Sequence, residues 1–185
     1  MKRVEWKFYI DYEKEEAWLN SMSEKGFAFT DFFLCRYAFE DSGPGEYIYR
    51  IELLENLPGH PESRKYLNFM EENGVEYISS WARWVYFRKK ASAGPFDIYS
   101  DIESRVAHYR RIATLFFVVM ILEISLSIPQ FSIWLDHVSG GYRGGTTFNL
   151  GAGVLLLCLA AIFFNGWNST RKKMKELLLE KNLRE

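Results

Sequence analysis

Apolar and polar positions follow two regimes along the chain. Through residue 91 they alternate in short runs interrupted by helical stretches, and beyond residue 111 two long apolar runs take over. Val4, Trp6, Phe8 and Ile10 alternate with polar neighbours, which predicts a strand over 4–10 with those four side chains on one face. Glu13–Lys25 reads as a helix, stopped by Gly26, a residue suited to the left-handed conformation that follows a helix C-terminus. Aromatic strands are expected at 27–33 and 36–40, followed by the turn "DSGPG" at 41–45. The order then recurs. Tyr47, Tyr49, Ile51 and Leu53 alternate in "EYIYRIEL", the loop "LENLPGHP" leads to a helix over 62–73, and strands are expected at 75–81 and 83–88.

The recurrence is visible in the letters. "WLNSMSEKGF" at 18–27 aligns with "YLNFMEENGV" at 66–75 at an offset of 48, matching Leu19 with Leu67, Asn20 with Asn68, Met22 with Met70 and Gly26 with Gly74. With one residue deleted, "CRYAF" at 35–39 aligns with "ARWVY" at 82–86. Residues 1–91 therefore predict an α+β fold, a two-layer sandwich from a duplicated βαββ unit with both helices on one face and approximate internal two-fold symmetry. The doubled unit resembles, in architecture alone, GyrI-like modules that hold apolar or cationic small molecules, and the resemblance implies a ligand in the cleft between the copies, near Trp6, Phe8, Tyr47, Tyr49, Trp81 and Trp84. The competing reading makes the same rings core, since aromatics supply large buried area.

Residues 112–168 read as a transmembrane hairpin. Ile112–Leu135 is 24 residues with one charge and Phe148–Trp167 is 20 with none, against the roughly 20 apolar residues that cross a bilayer. Arg105, Arg110 and Arg111 precede the first span, Arg171, Lys172, Lys173 and Lys175 follow the second, and only Arg143 lies between. That bias predicts both termini on the cytoplasmic side. Trp134, Tyr142 and Trp167 suit the interfaces. Glu123 falls near mid-bilayer, where a carboxylate is costly and must be neutral, paired or turned toward another helix. Hydrogen bonds to Ser125, Ser127 or the carbonyl freed by Pro129 would satisfy it, and a contact that joins copies into a homo-oligomer is the alternative.

Between these parts, "ASAGPFD" at 91–97 reads as a linker, and "SDIE" at 100–103 as a capping box opening a helix that runs into the first span, so that residues 92–111 are linker and juxtamembrane helix. Residues 169–185 form a basic, then amphipathic tail. Composition adds a charge contrast: residues 1–99 hold 17 acidic and 13 basic side chains, residues 100–185 hold 7 and 10. The acidic first half argues against nucleic-acid binding. Cys35 and Cys158 lie in different parts, so no disulfide framework is expected, and "MKRVEWKFYIDYEKEE" has no signal-peptide core. His60, His108 and His137 are scattered, and no metal-site spacing, phosphate loop or nucleophile elbow appears, so neither cofactor nor enzymatic activity is expected.

"DYEKEEAWLNSMSEKGF", "PGEYIYRIELLENLP", "SWARWVYFRKK" and "GPFDIYSDIESRVAHYRRI" resemble the pattern of the DUF2812 family of membrane-associated bacterial proteins, over about residues 6–112. The resemblance implies a regulatory or signalling role, with a PadR-like transcription regulator as a protein partner, and carries over no catalytic residue. The expectation is a bacterial cell-membrane protein whose cytosolic unit binds a protein, with a sensed ligand or a hairpin-mediated accessory role as alternatives.

Overall fold

A computed structural model describes residues 2–140 and 146–184; Tyr142 and Arg143, expected in the connecting loop, lie outside the described residues. The chain forms two compact units, 1–101 and 102–185.

The first unit is α+β. Strand β1 (Lys2–Trp6), helix α1 (Tyr12–Glu24) and strands β2 (Phe27–Phe33) and β3 (Arg36–Asp41) make one copy; β4 (Tyr47–Leu53), α2 (Pro61–Glu72), β5 (Glu76–Trp81) and β6 (Trp84–Lys90) make the other. The two antiparallel sheets have the same topology, β1-β3-β2 and β4-β6-β5. Both β2 and β5 carry an irregularity at matching positions, between Phe29 and Asp31 and between Tyr77 and Ser79. The two hairpin turns also correspond: Phe33 pairs Arg36 and Trp81 pairs Trp84, each across two residues. The offset of 48 thus holds through both hairpins without the expected deletion. The β2–β3 turn puts two non-glycine residues, Leu34 (φ 43°) and Cys35 (φ 67°), in the left-handed region, as a tight hairpin turn that follows the strand twist requires.

Local signals set the helix ends. Asp11 caps α1 by accepting the N–H of Glu13, His60 caps α2 by accepting that of Glu62, and Pro61 occupies the first turn. Gly26, at φ +84°, closes α1 where a Cβ would stand 3.1 Å from the Ser42 carbonyl oxygen.

The placement of the helices differs from the expected common face. Helix α1 packs Leu19 and Met22 on Phe29, Tyr37 and Phe39 of the first sheet and on Tyr49, Ile51 and Tyr86 of the second. Helix α2 packs Leu67 and Met70 on Val85 and Phe87. Tyr86 and its neighbours Val85 and Phe87 point to opposite faces, as successive strand residues must, so α1 and α2 cover opposite faces of the β4-β6-β5 sheet. Residues 92–101 pack on this second copy rather than span free: Phe96 is buried among Leu54, Leu67 and Phe87, and the Tyr99 hydroxyl donates to Glu52 at 2.9 Å.

The second unit is a pair of long helices, α3 (Ile102–Ser139) and α4 (Thr146–Arg184). Both are long and apolar enough to cross a membrane. Helix α3 begins one residue later than the capping box implied and, as expected, enters the apolar run without a break. Val106, Tyr109, Ala113, Phe116 and Met120 are buried at a spacing of three and four, and Ser127 follows two turns on, the repeat of helices packed side by side; His108 and Ile112 are buried beside this stripe. Antiparallel packing is read from Phe116 against Phe163, Phe117 against Trp167 and the 2.7 Å ion pair of Glu103 with Lys181. Gly153 admits the Phe131 ring, which a Cβ would meet at 3.0 Å, and buried Ala160 continues this small-residue seam.

Candidate functional site

The two copies of the first unit meet at α1, whose side chains divide between two tasks. Glu16, Asn20 and Ser23, one turn apart, clamp the free edge of β4. Glu16 accepts the Ile51 N–H (3.0 Å); Asn20 accepts the Tyr49 N–H (2.8 Å) and donates to the Tyr49 carbonyl (3.1 Å); Ser23 donates to the Tyr47 carbonyl (2.7 Å) and accepts its N–H (3.2 Å). An edge strand otherwise presents these groups to any other chain. Arg50 lies 3.3 Å from Glu16, yet burial outweighs that attraction and pushes the Glu16 carboxyl up to about 7.

One residue earlier on α1, Glu15 turns inward. Its Oε1 accepts the Tyr37 hydroxyl at 2.8 Å and the Tyr86 hydroxyl at 2.7 Å, one from each copy. Burial raises the Glu15 carboxyl above the ordinary carboxylate range, and the two hydroxyl bonds oppose that rise. Both tyrosines are raised as well, first by burial and then by the neighbouring carboxylate. Phe29 and Phe32 stack on this pair, with Phe32 4.8 Å from Tyr37 and 5.1 Å from Tyr86. A carboxylate ringed by aromatics is suited to a cation. It also locks the copies together.

The aromatics singled out in the sequence do not share one cleft. Tyr49 is core, with no exposed surface, and its hydroxyl accepts the Phe29 N–H at 2.8 Å. Tyr47 stacks under Arg88 (4.4 Å) and beside Tyr49 (6.5 Å). Trp81 and Trp84 pair across the β5–β6 turn, Trp81 exposed and Trp84 half-buried against Tyr12. Trp6 and Phe8 lie elsewhere, 69% and 68% exposed. The expected alternation in β1 exists but is turned outward: Arg3, Glu5 and Lys7 stand on the side of the buried Tyr37 and Phe39, while Val4 and Trp6 stand on the open face of the sheet. Phe33 shares that face through its pairing with Arg36, and exposed Leu34 follows it. Sequence reading named Val4 and Trp6 as one face but missed that this face, bordered by the free edge of β1, is exposed and continued by Phe33. Glu15, Tyr37 and Tyr86 were also missed, because alternation locates a face and not the partner opposite it.

In the hairpin, Glu123 lies on α3 between the buried Met120 and Ser127 and is itself half-buried. Its Oε2 is buried without a hydrogen-bond partner, while Ser125 and Ser127 bond the carbonyls of Ile121 and Ile124 in their own helix. Among the described residues no group of three His, Cys, Asp or Glu side chains is placed to hold a metal.

A known family, described as "Protein of unknown function (DUF2812)", matches residues 11–121, from the α1 cap into the first apolar run. The chain belongs to the DUF2812 family. The matched segment of this DUF2812 protein contains α1 with its clamp, Glu15, both tyrosines and the whole second copy, and it leaves out β1. No curated protein and no solved structure matches the chain.

Proposed function

We propose that this DUF2812 protein is a membrane-anchored regulatory protein whose first unit docks a protein partner on the outer face of β1. The hairpin lies in a bacterial cell membrane, with Arg105, Arg110 and Arg111 in the first turns of α3 and the Arg171–Lys175 cluster holding both ends in the cytoplasm. The observation that carries the docking reading is the exposure of Val4, Trp6, Phe8, Phe33 and Leu34, beside a strand edge that, among the described residues, pairs with no other strand. Contiguous apolar surface on a soluble face marks an interaction site. Among soluble partners, a PadR-like regulator is the candidate that the family resemblance names. The test is affinity recovery with the full chain carrying Trp6→Asp and Phe8→Asp. Both side chains are solvent-exposed, so the unit keeps its melting temperature while a co-purifying partner is lost. Equal recovery by the variant contradicts the reading.

A second reading has a specific observation behind it, the Glu15 carboxylate between two tyrosines and two phenylalanines. It makes the unit a sensor of apolar organic cations. Tetraphenylphosphonium added to the full chain would raise its melting temperature, and the Glu15→Gln variant would lose that response; an equal response in both contradicts the reading.

A further inference from the structure

The internal repeat carries the docking reading one step further, to the identity of the partner. At the offset of 48 that superposes the hairpins, Tyr86 of β6 corresponds to Ala38 of β3. Ile51, which pairs Tyr86, therefore corresponds to Val4, which pairs Ala38. The Lys7 N–H donates inward to the Cys35 carbonyl (3.0 Å), so by strand alternation the backbone groups of Trp6, Val4 and Lys2 point outward, as those of Ile51, Tyr49 and Tyr47 do on β4. The surface that α1 covers in the second copy is thus present in the first copy and bare. The other half of the contact is bare too. Helix α2 buries Ser63, Leu67 and Met70, the counterparts of Glu15, Leu19 and Met22, and leaves Arg64, Asn68 and Glu71, the counterparts of the clamp residues, exposed. Asn68 is the same amide that in α1 bonds both groups of one residue, and exposed Phe69 stands beside it. Helix α2 does not pack along β1 of its own chain.

We infer that the occupant of the β1 edge is α2 of a second copy of this chain, repeating between molecules the α1–β4 clamp made within one. In register with α1, Asn68 bridges the N–H and carbonyl of Lys2, and Arg64, which replaces an acceptor with a donor, bonds the Val4 carbonyl. Glu71 lies toward the amino end of β1, where Lys2 and Arg3 supply positive charge. Phe69 adds apolar area beside the edge. Such a contact joins unlike surfaces, so that each chain both gives a helix and receives one.

This inference rests on the reading of the β1 face as a docking surface, and the experiment separates the two. The full chain in lipid vesicles carries a benzophenone amino acid at position 69, is illuminated, and its products are mapped by mass spectrometry. Expected is a dimer joined through residues 2–8. Asn68→Ala, exposed in the single chain, lowers its yield by a factor of about five, the factor that corresponds to one net hydrogen bond. Lys2→Pro removes the outward N–H that Asn68 accepts without breaking the β1–β3 ladder and lowers it similarly. Monomer alone, or a dimer joined only through α3 and α4, overturns the inference. Benzophenone at position 6, in cells, then discriminates: capture of a different protein overturns self-association and leaves the docking surface standing, whereas no capture at either position removes both.

Discussion

Glu16 shows how one carboxylate ties an edge strand down at a cost set by pH. Its pKa is raised in the folded unit to about 7 from 4.5, so the folded state favours the protonated form. Stability from this group is therefore fully present below the unfolded pKa and is lost as pH rises toward 7, by up to about 3 kcal/mol. Glu16→Gln removes the titration. The difference in melting temperature between variant and parent grows in the variant's favour between pH 4.5 and 7.5, and a constant difference would contradict the desolvation argument. Glu15 follows the same sign. Tyr37→Phe and Tyr86→Phe each remove one of its two hydroxyl donors in a buried setting and cost about 1–3 kcal/mol, read by chemical denaturation. Neither role was legible in "EKEE", which reads as the acidic first turn of a helix. The letters show charge near a helix start; they do not show that Glu15 turns in between the two sheets while Glu16 turns to the edge of the second.

At the scale of elements, most of the fold was legible. The 48-residue offset, the glycine stops at Gly26 and Gly74 and the alternation in β4 fall where the structure has them. Strand β1 is the instructive departure. It ends at Trp6 rather than Ile10 as the chain turns toward the Asp11 cap, and its apolar side faces outward. Period two assigns side chains to two faces, and only the neighbouring helix decides which is buried. The expected ligand cleft dissolved for that reason, since Tyr49 lies in the core and Trp6 on the outside. The β2–β3 turn was likewise unreadable, because "LC" lacks the asparagine and glycine such turns favour. Leu34→Asn with Cys35→Gly relieves two left-handed non-glycine residues and is expected to stabilise the unit by about 1–2 kcal/mol, measured by denaturant midpoint. In the hairpin, Gly153→Val forces the Phe131 ring away and separates the helices. A loss of cross-linking between cysteines placed at positions 117 and 167 reports it, and unchanged cross-linking would show that the seam is more yielding than its contacts indicate.

Across the whole molecule, the two regimes of the sequence became two units, with the boundary at Asp101 rather than 91 because Phe96, Ile98 and Tyr99 attach the expected linker to the second copy. The first unit hides one strand edge with great thoroughness and leaves the equivalent one open, an asymmetry that gives the docking proposal its basis. The second unit leaves most of its apolar surface uncovered, with Leu122, Leu126, Ile128, Leu155 and Phe164 all exposed. Glu123 is an acidic group of the apolar run with a buried oxygen, Oε2. Glu123→Leu fills that position with apolar volume and raises the thermal stability of the hairpin in detergent, and a loss of stability there would show that the carboxyl has a partner between copies.

The account depends most on where the first unit stands with respect to the bilayer. The direct measurement is labelling with a membrane-impermeant maleimide of a single cysteine placed at exposed Lys90, with Cys35 and Cys158 replaced by serine, in cells that are sealed or permeabilised. The account predicts reaction only after permeabilisation, with the labelled chain in the membrane fraction. Reaction in sealed cells, or a labelled chain recovered free of membrane without detergent, would contradict it.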